Sequence, residues 1–445
     1  MSFEWTIHPE AEQFVMTHLT RYCEQNTELS TLSGKLTNEA GARLLDYVDH
    51  LSLGSKDAET TLRELDFTKD ERVKSATFIC PGTCLPRIRL GESTGVAIAV
   101  EDVAHFLSVY GLSRTIEGTP FSPMRRALVS DTNGVHFWVI ERRQADIMEP
   151  VEQDPSQTMD YLDSLEKWRT RERHFASDEE TMENALKVAK EQIAAVGTTM
   201  AAQTFFASEM EYWRSRNRAG QELKALLDQV GVGLAAPDHH AFRSSRRLFP
   251  QLISFFKTLG FNLREKFYAG GEAGWGAQVV ENSDIGLALF LDLDLSPEEL
   301  DLDFEKAQLE ERDQLGTVGL WCALHTDSLL AAGTHHMATQ SSFADLTRVL
   351  KKRRVKTMDP FSDFPYLKQA FTRGQRWQVE PERVERLLSR GLISKEDGEK
   401  FIEKGAIGSH LENIQRGEGF KGFNQHQVSV IMRATDPRKH SEEEA

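Results

Sequence analysis

The sequence predicts an α+β fold in which strand–helix units recur along the chain, and two observations indicate it. Four segments pass from strand-like to helical hydrophobic periodicity, beginning near residues 47, 95, 237 and 333. Residues 157–228 are rich in Glu, Lys, Ala, Gln and Arg and contain no proline, which predicts helices between the second and third units. No segment reaches the roughly 18 consecutive apolar residues of a membrane span.

Composition and charge restrict the class of protein. The chain has 445 residues, 40% hydrophobic and 27% charged, as expected for a globular protein of two or three domains. Its formal net charge of -16 argues against nucleic acid or an anionic membrane surface as the main partner. The four cysteines are too scattered for a disulfide framework, and the N-terminus lacks a signal-peptide pattern. We therefore expect a cytoplasmic protein that binds neither nucleic acid nor membranes, and a homo-oligomeric assembly is left open.

The first two units lie in the N-terminal third. Residues 9–25 and 38–47 have helical patterns, and a strand pattern over 47–53 then passes through a small-residue turn into a helix over 58–65. The second unit opens with the apolar strand "GVAIAV", which leads into a helix that starts with an aspartate. Two strand-like runs follow over 124–143, separated by the turn signal "DTNG".

The last two units lie in the C-terminal half. The segment 237–261 reads as a strand followed by a helix, and a later strand is expected within 282–295. The segment 333–354 is again a strand followed by a helix. Residues 380–407 predict two short helices inserted late in the fourth unit.

These patterns divide the chain into four regions. We expect an N-terminal pair of units over 1–156, a helical connector over 157–228 and a C-terminal pair over 229–436. The charged residues of 437–445 predict a disordered tail.

One strand carries side chains that are unusual in a buried strand. In the stretch "PDHHAFR" (237–243), alternation places His239 and Arg243 on one face with Ala241 between them, and His240 on the other face. An imidazole and a guanidinium over one cavity indicate a metal ligand and a group that binds an acid. A histidine held only by structural hydrogen bonds is the alternative.

Three stretches of the C-terminal half resemble one enzyme family. They are "DHHAFR" (238–243), "HHMA" (335–338), and a segment running from Glu412 through "FKGF" (420–423) to "ATD" (434–436). Over roughly residues 220–436 they are similar to the 2-oxoadipate dioxygenase/decarboxylase family, also called hydroxyglutarate synthase. More broadly, the four units resemble the vicinal oxygen chelate superfamily. The chain departs from the family pattern at three positions: His335 stands for Asn, Ala338 for Thr and Lys421 for Gln. These differences bear on the identity of the substrate more than on that of the metal.

The resemblance implies an α+β fold of tandem βαβββ modules, which form two vicinal-oxygen-chelate-like half-barrels with helical insertions. It implies a C-terminal metal-binding pair and an N-terminal degenerate pair. Fe(II) would be bound by His239, His336 and Glu412, with His335 as the alternative second ligand. The family register favours His336, because Met337 stands where the family has Phe or Leu.

The resemblance also implies an activity. It predicts a non-haem Fe(II) dioxygenase that acts on a small 2-oxo acid such as 2-oxoadipate, with O2 as the second substrate, and yields a hydroxy acid and CO2. Arg243 is the expected catalytic and substrate-binding residue, with Ser244 as a further substrate-binding residue. Two alternatives remain: another metal-dependent enzyme of the superfamily (a ring-cleaving dioxygenase, an isomerase or a lyase), or a metal-free binding protein on the same fold.

The N-terminal pair has an incomplete set of candidate ligands. His50 occupies the position equivalent to His239, and His136 and Glu141 lie on the last strand of module two. The opening strand of module two, "GVAIAV", offers no ligand. We therefore expect His50 to have a structural role.

Overall fold

The computed structural model describes five stretches of the chain: residues 5–54, 58–268, 274–307, 309–424 and 436–438. Within them the strands form two mixed sheets, one of seven and one of nine strands. Of the tail expected to be disordered, only Pro437 and Arg438 belong to the described residues, so that expectation stays a prediction. The expected domain boundaries are likewise predictions. Among the described residues, none of the helices combines the length and the apolar character needed to cross a bilayer.

The N-terminal sheet contains two modules. Two helices precede it, α1 (Pro9–Gln25) and α2 (Thr27–Lys35). Module one comprises β1 (Val48–Leu53), α3 (Ala58–Glu64), β2 (Thr68–Lys69), β3 (Thr77–Ile79) and β4 (Arg87–Leu90). Module two comprises β5 (Thr94–Ala99), α4 (Val103–Val109), β6 (Met124–Thr132) and β7 (Val135–Arg142). The strand order is β2-β3-β4-β1-β5-β7-β6, so the two opening strands, β1 and β5, lie side by side at the centre.

Four helices separate the sheets. They are α5 (Pro155–Arg169), α6 (Asp178–Val196), α7 (Thr198–Ser215) and α8 (Arg218–Gln229). They form in the region where the sequence lacks proline and is rich in strong helix formers.

The C-terminal sheet contains the other two modules. Module three comprises β8 (Pro237–Arg243), α9 (Phe249–Thr258), β9 (Asn262–Tyr268), β10 (Trp275–Asn282) and β11 (Leu287–Asp294), and α10 (Thr317–His325) follows it. Module four comprises β12 (His336–Gln340), α11 (Phe343–Lys352), β13 (Ser362–Phe364), β14 (Leu367–Phe371), β15 (Gln375–Trp377), α12 (Pro381–Ser389), α13 (Lys395–Lys404) and β16 (Ala406–Arg416). The strand order is β13-β14-β16-β12-β8-β11-β10-β9, with β15 paired to β16.

Both sheets follow one connection rule. In modules one, three and four, the opening strand runs parallel to the last strand of its own module and antiparallel to the opening strand of the partner module. Module two obeys the same rule with one strand fewer, and an isolated bridge between Glu117 and Arg126 occupies the edge where that strand would lie. The fold class expected from the sequence, α+β with tandem βαβββ modules, is therefore confirmed.

One expected helix is interrupted. Instead of a single helix over 38–47, a π-helical turn spans Leu36–Ala40 and a 3-10 turn spans Leu44–Tyr47. Gly41 separates them with a left-handed φ of 67°, and a Cβ at that position would lie 2.4 Å from the Cα of Leu346. The close approach of α11 therefore ends the helix there.

The packing of β8 decides which side chains face the site. On one face, Phe242 packs against Phe256 of α9 with ring centroids 4.9 Å apart, and His240 stacks on Phe206 of α7 at 5.8 Å. This aromatic layer occupies the outer face of the sheet. His239 and Arg243 consequently point to the opposite face, where the sheet encloses a cavity.

Candidate metal centre

Three adjacent strands bring together one candidate ligand each. His239 lies on β8, His336 on β12 and Glu412 on β16, and β12 runs between the other two strands. Ala338 of β12 is directly opposite both His239 and Glu412 in the two ladders. His336 precedes Ala338 by two residues and so lies on the same face.

The candidate ligand atoms are close enough to share one ion. Glu412 Oε2 lies 3.2 Å from His239 Nε2 and 3.2 Å from His336 Nε2, and the two imidazole nitrogens are 3.4 Å apart. Ligand atoms about 2.1 Å from one metal would be about 3.0 Å apart at right angles and about 3.4 Å apart in a tetrahedron. The three residues are buried, with exposures of 4%, 8% and 3% for His239, His336 and Glu412. The donor set therefore fits a divalent transition metal with positions left for other ligands.

A second layer of hydrogen bonds orients two of these ligands. His239 Nδ1 lies 2.8 Å from Asp238 Oδ1, and Arg416 donates to both oxygens of Asp238, at 2.9 and 3.0 Å. Gln369 Nε2 donates to Glu412 Oε1 at 2.9 Å. These contacts direct His239 Nε2 and Glu412 Oε2 to the common point, as the outer partners of metal ligands do.

The electrostatics of the cluster favour a positive charge at that point. Burial alone would lower the pKa of His239, but Glu412 and Asp238 outweigh it and raise the pKa to about 9. Burial would raise the pKa of Glu412, but His239 and His336 hold it well below its usual range. Burial lowers the pKa of His336 despite the nearby Glu412. A proton on His239, or a metal ion in its place, therefore balances the buried carboxylate.

The three residues face a cavity of about 60 Å³, large enough for a few water-sized groups. Aromatic rings form most of its wall: Phe267, Trp275, Phe290, Phe361, Phe371 and Phe423. Its polar groups, besides the three candidate ligands, are Arg243, Asp292, His335, Gln369, His410 and Asn424.

Arg243 is a buried cation with unused hydrogen-bonding capacity. It is 3% exposed, and its Nε and Nη1 find no acceptor among the described residues. Arg243 forms no ion pair with a described carboxylate. Its Cζ lies 5.5 Å from the ring centroid of Trp321. Asp292 is its partner in the β8–β11 ladder, and burial raises the pKa of Asp292 to about 7 although Arg243 opposes that shift. An unsatisfied buried guanidinium facing a cavity indicates an anionic ligand.

The other predicted residues of this region have different surroundings. His240 lies on the opposite face of β8, as alternation predicts, and burial lowers its pKa to about 3. Ser244 is not part of the cavity wall: its hydroxyl donates to Asp327 Oδ2 at 2.8 Å, because residue 244 is one step out of phase with Arg243. The substrate-binding role expected for Ser244 therefore has no support from this geometry and stays a prediction. Asp238 pairs with Arg416 and not with Arg243.

The alternative ligand His335 also reaches the cavity, but on another side of His336. It belongs to a second group of close imidazoles, His335, His336 and His410, which does not include Glu412. Sequence reasoning missed His410, although it lies two residues before Glu412 on the same strand and therefore on the same face. It also missed Arg416, whose contact with Asp238 spans 178 residues and leaves no local signal.

The N-terminal sheet repeats part of this arrangement. Asp49 Oδ1 lies 2.6 Å from His50 Nδ1, and Arg142 donates to the two oxygens of Asp49 at 2.6 and 2.8 Å. Burial would raise the pKa of Asp49, but Arg142 holds it well below its usual range. These three residues correspond to Asp238, His239 and Arg416.

The remaining ligand positions differ in the N-terminal sheet. The ladders pair His50 with Ala97 and Ala97 with Trp138, so Trp138 stands where the C-terminal sheet has Glu412. Gly95 stands where it has His336, and a Cβ at Gly95 would lie 2.1 Å from the carbonyl oxygen of His136. No side chain can therefore serve as a ligand from that position. His136 lies near Asp131 and Glu141 pairs with Arg125, so neither joins His50 in a cluster.

Comparisons with known proteins give only distant similarities. No protein-family model and no curated protein matches the chain. Among solved structures, a mutant of 4-hydroxymandelate synthase from Streptomyces coelicolor is similar at 12% identity, over 88% of this chain and 98% of that chain, with a TM-score of 0.28. Methylmalonyl-CoA epimerase from Mycobacterium tuberculosis is similar at 10% identity, over 41% of this chain and 87% of that chain, with a TM-score of 0.24.

A xylose isomerase-like TIM barrel/4-hydroxyphenylpyruvate dioxygenase fusion protein is similar at 12% identity, over 89% of this chain and 53% of that chain, with a TM-score of 0.25. At such identities and TM-scores these similarities carry no argument about activity. The resemblance to the 2-oxoadipate dioxygenase/decarboxylase family therefore stays a prediction, and the functional inference rests on the geometry of the site.

Proposed function

We propose that this chain is an Fe(II)-dependent dioxygenase that decarboxylates a small 2-oxo acid with a second carboxylate, similar to 2-oxoadipate. The observation that carries the proposal is the convergence of His239, His336 and Glu412 on one cavity. That cavity also contains the guanidinium of Arg243, which has no ion-pair partner among the described residues. The two histidines and the glutamate would bind the metal, and Arg243 would bind the distal carboxylate of the substrate.

The donor set supports iron as the metal. Two imidazoles and one carboxylate on one side of an ion are typical of non-haem Fe(II) oxygenases, in which adjacent positions stay open. Bound Fe(II) would supply chelation of the 2-oxo acid and activation of O2 beside it. Asp238 would keep the His239 proton on Nδ1, so that Nε2 is available to the metal.

The charges of the cavity fit a substrate with two carboxylates. The cavity would have a surplus of positive charge if it held a divalent ion. The ion and Arg243 together carry three positive charges, and Glu412 carries one negative charge, before Asp292 is counted. A dianionic 2-oxo acid would neutralise this surplus, with one end at the metal and the other in a bidentate pair with Arg243. The aromatic walls around Phe290 and Phe371 would keep bulk water away from the reacting carbons.

The proposed reaction has a defined balance. The bond between the carboxyl carbon and the keto carbon of the 2-oxo acid breaks, and the carboxyl carbon leaves as CO2. One O2 is the oxidant, and both of its atoms remain in the products. One oxygen atom joins the former keto carbon, which becomes a carboxylate, and the other enters a C–H bond of the shortened acid, which becomes its C–OH group. No further reductant is required.

The test is anaerobic removal of metals, reconstitution with Fe(II), Mn(II) or Zn(II), and measurement of O2 uptake and CO2 release with a panel of 2-oxo acids. The expected result is Fe(II)-dependent uptake of O2 in a one-to-one ratio with CO2, greatest for a dicarboxylic 2-oxo acid. His240→Ala is the matched control for His239→Ala, because the two adjacent histidines point to opposite faces.

Two results would contradict the proposal. A protein that binds no metal would be a binding protein on this fold. A protein that binds metal but consumes no O2 with any 2-oxo acid would be another metal-dependent enzyme: a ring-cleaving dioxygenase, an isomerase or a lyase.

A further inference from the structure

Two imidazoles in the cavity wall have no role in the proposed metal centre. His335 and His410 are buried, with exposures of 1% and 2%, and both line the same cavity as Arg243. His335 Nε2 and both ring nitrogens of His410 find no hydrogen-bond partner among the described residues. Each unsatisfied buried polar atom costs free energy unless a ligand or water satisfies it. Three such atoms on two residues that line one cavity therefore require a hydrogen-bonding group there, either water or part of a ligand.

The hydrogen-bonding character of His335 is determined by the backbone. Its Nδ1 lies 3.0 Å from the carbonyl oxygen of Gly408, which can only accept, so Nδ1 carries the proton and donates. In the neutral ring Nε2 then has a lone pair and acts as an acceptor. This leaves one acceptor directed away from Gly408 and without a partner.

His410 supplies the complementary group. Its ring stacks on His336 with centroids 4.9 Å apart, meets Phe371 at 3.9 Å and stands nearly perpendicular to His335 at 4.6 Å. These contacts hold the ring without engaging its nitrogens. A neutral imidazole has one N–H, so His410 can donate from one edge of the ring while His335 accepts.

We propose that His335 and His410 together recognise a hydroxyl group, so that the substrate is a hydroxylated 2-oxo acid. This inference rests on the proposed function and narrows its substrate class. A hydroxyl group donates one hydrogen bond and accepts another, which matches the acceptor of His335 and the donor of His410.

The other candidate ligands fit the pair less well. A carboxylate would be repelled by the lone pair of His335 Nε2, and Arg243 already offers it a better partner in the same cavity. A second cation on these imidazoles would add charge beside Arg243 and the proposed divalent ion, and the group of His335, His336 and His410 contains no carboxylate to balance it. A neutral hydroxyl adds no charge.

The test compares paired probes that differ by one hydroxyl group: 2-oxoadipate against its 3-, 4- and 5-hydroxy derivatives. Binding to the Zn(II)-substituted protein is measured by calorimetry, and turnover is measured with the Fe(II) protein. One of the hydroxylated probes is expected to bind more tightly than 2-oxoadipate by roughly tenfold or more, because an analogue without the hydroxyl leaves buried polar atoms unpaired.

His410→Phe keeps an aromatic ring and removes both nitrogens. We therefore expect this variant to bind the preferred hydroxylated probe and 2-oxoadipate with nearly equal affinity. His410→Gln restores a donor and an acceptor and should recover part of the preference. His240→Phe is the matched control, because His240 also has a buried unpaired nitrogen but lies on the opposite face of β8.

Three results would overturn the inference. The first is equal binding of 2-oxoadipate and all its hydroxy derivatives by the unmodified protein. The second is a preference for the hydroxyl that survives in His410→Phe. The third is a second bound metal equivalent that is lost in His410→Phe, which would make these histidines metal ligands. If no 2-oxo acid binds at all, the proposed function fails and this inference fails with it.

Discussion

Replacing Asp238 by Asn tests whether the hydrogen bonds behind the metal centre serve the metal or only the fold. Asp238 bonds to His239 Nδ1 at 2.8 Å and receives two hydrogen bonds from Arg416, whose side chain is 5% exposed. Loss of one charge from a buried ion pair costs about 3–5 kcal/mol of folding stability. Loss of the outer partner of a ligating histidine costs about 10–100-fold in metal affinity.

The N-terminal sheet offers a matched control within the same chain. Asp49 bonds to His50 and Arg142 with nearly the same distances, and its side chain is 9% exposed, as is that of Asp238. Asp49→Asn should therefore lower the thermal unfolding midpoint about as much as Asp238→Asn does. Only Asp238→Asn should weaken metal binding, measured by competition with a chelating dye. Asp238 has no specific role in metal binding if both variants weaken metal binding equally, or if Asp238→Asn binds metal as tightly as the unmodified protein.

Four further outcomes are expected. Arg243→Lys should raise KM for a dicarboxylic 2-oxo acid by a factor of roughly 30 to several thousand, with unchanged metal content, because Lys cannot form the bidentate pair; an equal effect on a monocarboxylic analogue would contradict this role. His239→Ala should lower metal occupancy by orders of magnitude while His240→Ala keeps it, as elemental analysis would report. Metal affinity should increase with pH up to about 9, because protons compete for His239 below that pKa and binding releases one proton; calorimetry in buffers of different ionisation enthalpy measures that proton. Gly95→Ala should destabilise the fold by at least about 1–3 kcal/mol, because its Cβ would meet a backbone carbonyl oxygen at 2.1 Å, whereas Gly91→Ala has no atom within 4 Å and should be tolerated.

The parts of the site that lie on one strand could be predicted from the sequence. Alternation alone places His239 and Arg243 together and His240 apart, since the period of a strand is two residues whatever it packs against. The same principle places Ser244 on the face opposite Arg243, where its hydroxyl donates to Asp327. It also places His410 on the same face of β16 as Glu412, two residues away.

The relations between strands could not be predicted. The expected ligand was His336 on the basis of a family resemblance, and His335 remained an alternative. The ladders decide their surroundings: Ala338 lies opposite both His239 and Glu412, which puts the His336 nitrogen 3.2 Å from Glu412 and leaves His335 beside Gly408. A shift of β12 by one residue would exchange the two histidines.

The four strand–helix units, the helical region between the two pairs and the faces of β8 could be predicted from the sequence alone, because they follow from hydrophobic periodicity and residue type within short windows. Three features depend on the folded chain. Three strands bring His239, His336 and Glu412 to one point, Arg416 supports Asp238 across 178 residues, and Arg243 has no ion-pair partner among the described residues. The tertiary structure also decided that the N-terminal copy lacks the second ligand, since at Gly95 the neighbouring strand leaves no room for a side chain. The physical reason is the same in each case: strand register and close packing depend on residues far apart in the chain, which no local pattern records.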